Sequence, residues 1–134
     1  MKAIRNEKGS VVIEFALVGP LLMVLLMGIA EFSMVLYTQQ LVSHATNIAA
    51  RSGATSLDDA VSNTRATTSA TSTITNSGLD PAKATVTVNI YSNPIPGEVE
   101  VITTYQYDLL FSFFTEVLGF PSSYNLRAQQ NYRR

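Results

Sequence analysis

One carboxylate stands alone in the most apolar part of this chain. From Ser10 to Ala30, a run of 21 residues, the only charge is Glu14, set in Val11-Val12-Ile13-Glu14-Phe15-Ala16-Leu17. As a helix such a run rises about 31 Å, enough to cross a hydrocarbon core about 30 Å thick. A carboxylate there costs at least about 2–3 kcal/mol near the helix centre and less near an interface. Something must therefore use Glu14, and the chemistry open to a carboxylate in lipid is pairing with a cation or a hydrogen-bond donor.

Little else in the chain could do chemistry. His44 is the only histidine, and no Ser or acid pairs with it by spacing; it is expected on the solvent or packing side of a helix. Asp58 and Asp59 point to different helix faces, so they suit the positive end of a helix dipole better than a paired-carboxylate site. There is no Gly-rich phosphate loop, HExxH or EF-hand pattern. The absence of cysteine excludes disulfides, thiolate catalysis and thiolate metal sites. No enzyme activity, cofactor, metal or small-molecule substrate is expected. The stretch Leu109 to Phe120, with Phe111, Phe113, Phe114 and Phe120, reads either as core or as a docking surface.

The first nine residues hold Lys2, Arg5 and Lys8 against Glu7. That positive flank should stay cytoplasmic and leave everything after Ala30 on the far side of a membrane. Without those nine residues, 6 Lys/Arg face 9 Asp/Glu, a charge of −3, so no basic patch remains for a nucleic acid. At 134 residues the chain has room for one small domain beyond the apolar run.

Three elements should position these residues. Glu31 to Arg51 contains no Pro or Gly, and Met34, Val35, Leu41, Val42, Ala45, Ile48 and Ala49 recur at three- and four-residue spacing. One helix of about forty residues follows, its second half a spine for the domain, with Arg51 in its last turn and Gly53 as a C′ residue. Pro20 should kink its membrane half. Gly19 and Gly28 leave bare faces on it. In Ser52 to Ser77, 13 of 26 residues are Ser or Thr, which fits a linker. Yet Ser56-Leu57-Asp58-Asp59 reads as a capping box, and Leu57, Val61, Ala66, Ala70 and Ile74 lie near one face. The favoured expectation is a weak amphipathic helix over 57–76, stopped by Gly78. Beyond Pro81 the period becomes two: Val86, Val88 and Ile90, then Val99, Val101, Thr103, Tyr105 and Tyr107 across the Asn93–Gly97 break. Tyr124–Gln130 makes a third strand. The expected fold is α+β, a long helix and a second helix carrying a small antiparallel sheet.

Three processing routes fit the leader. An ordinary secretory signal could be cut near Gly28-Ile29-Ala30, but the apolar run is longer than a usual h-region and holds a carboxylate. An uncleaved signal anchor is the second. The third rests on Gly9-Ser10-Val11-Val12-Ile13-Glu14-Phe15-Ala16-Leu17-Val18-Gly19-Pro20 followed by Gly28-Ile29-Ala30-Glu31-Phe32. This pattern resembles the class III signal of type IV pilins, and within them the TadE-like pseudopilins, or minor pilins, of tight-adherence (Flp) pili. The resemblance covers about the first fifty residues. Ser10 stands where type IVa pilins carry Phe. The resemblance implies that an aspartyl prepilin peptidase cuts between Gly9 and Ser10 at the cytoplasmic face. Glu14, with Phe15 beside it, would then pair with the Ser10 amine of a neighbouring subunit. It further implies a leader over 1–9, a transmembrane half over 10–30 and an extracytoplasmic domain over 31–134. Partners would be the peptidase, other pilins and the inner-membrane assembly platform, in filament assembly, adherence or secretion. A scaffold that stays anchored in the bacterial inner membrane is the alternative.

Overall fold

A computed structural model describes residues 7–91, 97–112, 119 and 121–134. Helix α1 runs from Glu7 to Gly53, 47 residues, and α2 from Asp59 to Asn76. A single 3-10 turn at Pro81–Lys83 leads into strands β1 (Ala84–Tyr91), β2 (Glu98–Asp108) and β3 (Ser123–Arg133). The strands form one antiparallel sheet in the order β1-β2-β3. The α+β layout expected from the sequence is the layout found.

The sheet register follows the alternation in the sequence. Val88 faces Val101 and Val86 faces Thr103 across β1 and β2; Thr103 faces Ala128 and Tyr105 faces Leu126 across β2 and β3. This puts Val86, Val88, Val99, Val101, Tyr105, Leu126 and Ala128 on the face that meets the helices, while Ile102 lies on the other. The opposite face carries Thr85, Thr87, Asn89, Glu100, Arg127 and Gln129.

Among the described residues, two small clusters make the core. In one, Ala49 and Ala50 of α1 meet Ala66 and Ala70 of α2 under Val99 and Val101. In the other, Val42 of α1 meets Tyr105 and Ala128, with Leu79, Ala84, Tyr107 and Leu126 around them. The helix–helix seam is thus lined by alanine, which lets two backbones approach closely. Gly53 completes that seam. A Cβ there would lie 3.1 Å from Ala66 Cβ and 3.2 Å from Val99 Cγ1.

Several sequence expectations are corrected here. Gly53 is the last helical residue of α1, not a left-handed cap; among the described residues only Gly78 and Gly119 have positive φ. The buried face of α1 is Thr38, Val42, Ala45, Thr46, Ala49 and Ala50, whereas Met34 and Ile48 are exposed. Close approach of α2 selects small side chains, so Ala50 and Thr46 displace the larger residues from the seam; the Thr46 hydroxyl is satisfied by donating to Val42 O at 2.7 Å. At α2 the cap is Asp58, not Ser56: its carboxylate accepts from Ala60 N at 2.9 Å and Val61 N at 3.2 Å. Leu57 precedes the helix and is exposed, as is Val61, and Ser62 takes the buried place beside Ala66, Ala70 and Ile74. Gly78, at φ +79, does end the element, its N–H donating to Thr75 O. The Ser/Thr-rich stretch is therefore a helix rather than a linker. Its hydroxyls repeatedly donate to carbonyls four residues back, as Thr64, Thr71 and Thr75 do.

Candidate functional site

The first half of α1 is bare. Its most apolar 18-residue window has mean hydropathy 2.4, and none of it is buried by the rest of the protein. Length and composition suffice for it to cross a bilayer. Gly9 and Ser10 lie in the helical backbone, one turn before Glu14. Glu14 is exposed and has no hydrogen-bond or ion-pair partner among the described residues. Phe15 is 77% exposed. Pro20 lies inside the helix, where it removes the amide that would bond to Ala16 O. Within one subunit, then, the described structure supplies no cation to Glu14.

The domain begins where the apolar run ends, and the junction is made by Glu31. It is the only Asp, Glu, Lys or Arg between Glu14 and Arg51. With Val35, Thr38, Gln39 and Val42 it lies on the side of α1 turned to the sheet. Its carboxylate takes three donors: Tyr107 OH at 3.2 Å and Leu110 N at 3.1 Å to Oε1, and Phe111 N at 3.2 Å to Oε2. Burial, and then the neighbouring Glu31 charge, push the Tyr107 phenol above its ordinary value. Eight residues further on, the Gln39 amide donates to Arg127 O of β3 at 3.0 Å. The chain leaving β2 is thus tied to α1 one residue beyond Ala30. Sequence reasoning missed this role. The signal was present in an isolated acid at the end of an apolar run, but its donors are 76 to 80 residues away in sequence.

Of the aromatic docking candidates, Phe111 is half-buried and Leu110 beside it is exposed; Phe113 and Phe114 fall outside the described residues. His44 is exposed, as expected, on a shallow hollow with Ser43, Asn47, Ile48, Arg51 and Gln130. Among the described residues no group of three or more His, Asp or Glu could hold a metal ion.

Two further polar constellations brace the domain. Arg134, its side chain 5% exposed, reaches Asp59 Oδ1 at 2.7 Å and Ser62 Oγ at 3.1 Å, while its backbone N–H donates to Gly97 O. On the outer face of the sheet, Glu100 accepts from Asn89, Tyr91 and Gln129. Those bonds, the one from Asn89 foremost, hold its carboxyl below the usual range.

Comparison with known proteins adds one observation. The family model described as TadE-like protein matches residues 9–51, about a third of the chain. Over that segment the chain is similar to TadE-like proteins. The match starts at Gly9, spans the bare half of α1 and the Glu31 junction, and stops two residues before α1 ends. No curated protein and no solved structure matches the chain. The TadE-like segment is thus α1 itself, and the domain on α2 and the sheet lies outside the match.

Proposed function

We propose that this TadE-like chain is a minor pilin, or pseudopilin, of a tight-adherence pilus. One observation carries the reading: the family match coincides with a helix whose first half is apolar, uncovered and interrupted by a single unpaired carboxylate. Prepilin peptidase cuts between Gly9 and Ser10 on the cytoplasmic side. Residues 10–30 anchor the mature chain in the bacterial inner membrane, and residues 31–134 form the extracytoplasmic domain. The Ser10 amine of one subunit then meets Glu14 of its neighbour as subunits join other pilins at the assembly platform. Pairing of two charges in low dielectric, each costly alone, supplies register for that step. Pro20 adds a bend within the membrane half.

Sequencing the amino terminus of the membrane-extracted protein tests the processing. Ser10 is expected; Met1 indicates an uncleaved anchor and Glu31 an ordinary secretory signal, and either overturns the reading. Gly9→Val should block maturation, because a branched side chain crowds the peptidase subsite. Recovery of the protein with sheared surface filaments tests the assembly role. A matured chain that never leaves the membrane fraction is instead a scaffold of the platform.

A further inference from the structure

The Glu31 junction has a second aspect, its height relative to the bilayer. Residues 10–30 already suffice to cross the hydrocarbon core, yet the uncovered apolar surface of α1 continues past them. Phe32 is 63% exposed, Leu36 47% and Tyr37 57%. From Val11 to Tyr37 the helix is about 40 Å long, which matches the core plus its headgroup layers rather than the core alone. Glu31, the one charge in this extension, does not need water: three donors from the domain occupy it. Helical side chains tilt toward the amino terminus, here toward the membrane. The Glu31 carboxylate therefore draws the Leu110 and Phe111 amides to the level of the last turn of the span. Leu110, 61% exposed, is left there without cover from the described residues of the domain. A membrane–water interface is enriched in tyrosine and tryptophan, and Phe and Leu occupy the apolar faces of helices that lie in it.

Given the spanning role proposed for α1, we infer that the lower end of the domain is a lipid-contact surface. Phe32, Tyr37, Leu110 and Phe111 sit in the headgroup–acyl boundary of the outer leaflet. Glu31 is the positioning residue that holds the turn after β2 at that depth. The domain is thereby seated on the bilayer before assembly rather than swinging free on a stalk. Lifting this surface out of lipid accompanies extraction of the subunit from the membrane.

The chain has neither Trp nor Cys, so one introduced tryptophan reports alone. Full-length protein carrying Leu22→Trp, Leu110→Trp or Leu57→Trp is reconstituted into phosphatidylethanolamine–phosphatidylglycerol vesicles doped with brominated phosphatidylcholine. The bromines lie near either the glycerol or the methyl end of the acyl chain. Position 22 should lose emission to the deep bromines, position 110 to the shallow ones, and position 57 to neither. A position 110 that behaves like position 57, while position 22 is still quenched, overturns the lipid contact and leaves the span intact. Failure of quenching at position 22 overturns the span and this inference with it. Blue-shifted but unquenched emission at position 110 means that another copy covers it, which also overturns the inference. Adding Glu31→Ala should reduce the shallow quenching at position 110, and Glu31→Gln, which keeps an oxygen for the backbone amides, should restore most of it. Unchanged quenching in Glu31→Ala removes the positioning role.

Discussion

Gly53 and Ala66 leave no room for one more methyl group between α1 and α2: a Cβ on Gly53 would stand 3.1 Å from that of Ala66. Two effects of Gly53→Ala oppose each other. Alanine favours helix by up to about 1 kcal/mol, less at a terminal position. Overpacking a tight contact costs about 1–3 kcal/mol. Ala66, Val99 and the Ser62 carbonyl crowd the site from both α2 and the sheet, so the second effect wins. Gly53→Ala should destabilise the domain by about 1 kcal/mol and Gly53→Val by about 3 kcal/mol. Denaturant unfolding of the protein in micelles, followed by tyrosine fluorescence, measures both. A more stable Gly53→Ala would mean that the helices can separate at no cost.

Arg134 and Asp59 should respond unequally to substitution. The arginine side chain is buried and the aspartate is 58% exposed. Arg134→Met removes the charge together with its hydrogen bonds and keeps the packing, at a cost of about 1–2 kcal/mol. Asp59→Ala leaves a buried guanidinium with, among the described residues, only Leu57 O and Ser62 Oγ as partners, and should cost more. Paired unfolding measurements on the two variants give the order. Equal costs would show that solvent already screens the pair.

Glu100 gives the outer face of the sheet an acid dependence. Its folded carboxyl titrates below the ordinary 4.5, chiefly because Asn89 donates to it, with Tyr91 and Gln129 adding further bonds. A depressed folded value contributes stability above the unfolded value and loses it as pH falls through the folded one. Lys83 behaves in the opposite sense: its bond to Asp108 raises it above 10.5, so its contribution is full below that value and is lost as pH rises through the raised one. The melting temperature should thus be flat between these limits and decline below the ordinary carboxylate range. Glu100→Gln should lower it at neutral pH, and the difference from the parent protein should shrink on acidification. A gap that stays constant down to acid pH would dissociate Glu100 from the titration.

Much of this architecture is legible in the sequence because it rests on period. Val86, Val88 and Ile90 with Val99, Val101 and Tyr105 mark the strands and their buried face, and the residue content of Ser10–Ala30 marks the bare helix; the register comes only with the structure. What escapes is decided by distance rather than hydrophobicity. Ala50 and Thr46 bury while Ile48 does not, since α2 comes too close for a large residue. Ser62 buries instead of Leu57 for the same reason, and because its hydroxyl finds the Gly53 carbonyl at 2.8 Å. Glu31 and Arg134 act on partners remote in sequence, and no local pattern announces a carboxylate waiting for Tyr107 or a guanidinium reaching α2. The Gly9, Ser10 and Glu14 spacing is legible as a motif, but its meaning lies in a second subunit and a peptidase.

Glu14 should matter to assembly rather than to insertion or folding. It is exposed on a helix that the domain does not touch at that level, so removing it disturbs no contact among the described residues. After cleavage the free amine of Ser10 is mostly protonated at neutral pH. It stands about 6 Å from Glu14 along the helix axis, at a terminus where one-turn pairing within the same chain is loose. In or near lipid both charges are costly, and a neighbouring subunit offers each of them a partner. Glu14→Leu should therefore insert at least as well as the parent protein and mature after Gly9 at a similar rate. It should nevertheless fail to enter sheared filaments or to co-purify with other pilins. Glu14→Asp, one methylene shorter, should retain partial incorporation, and Glu14→Gln, which can hydrogen-bond but not neutralise an ammonium, should retain less. Processing is read by amino-terminal sequencing and incorporation by immunoblot of the filament fraction. If the carboxylate only rested at the headgroup level, Glu14→Leu would assemble normally, and the charge-pairing step would have to be given up.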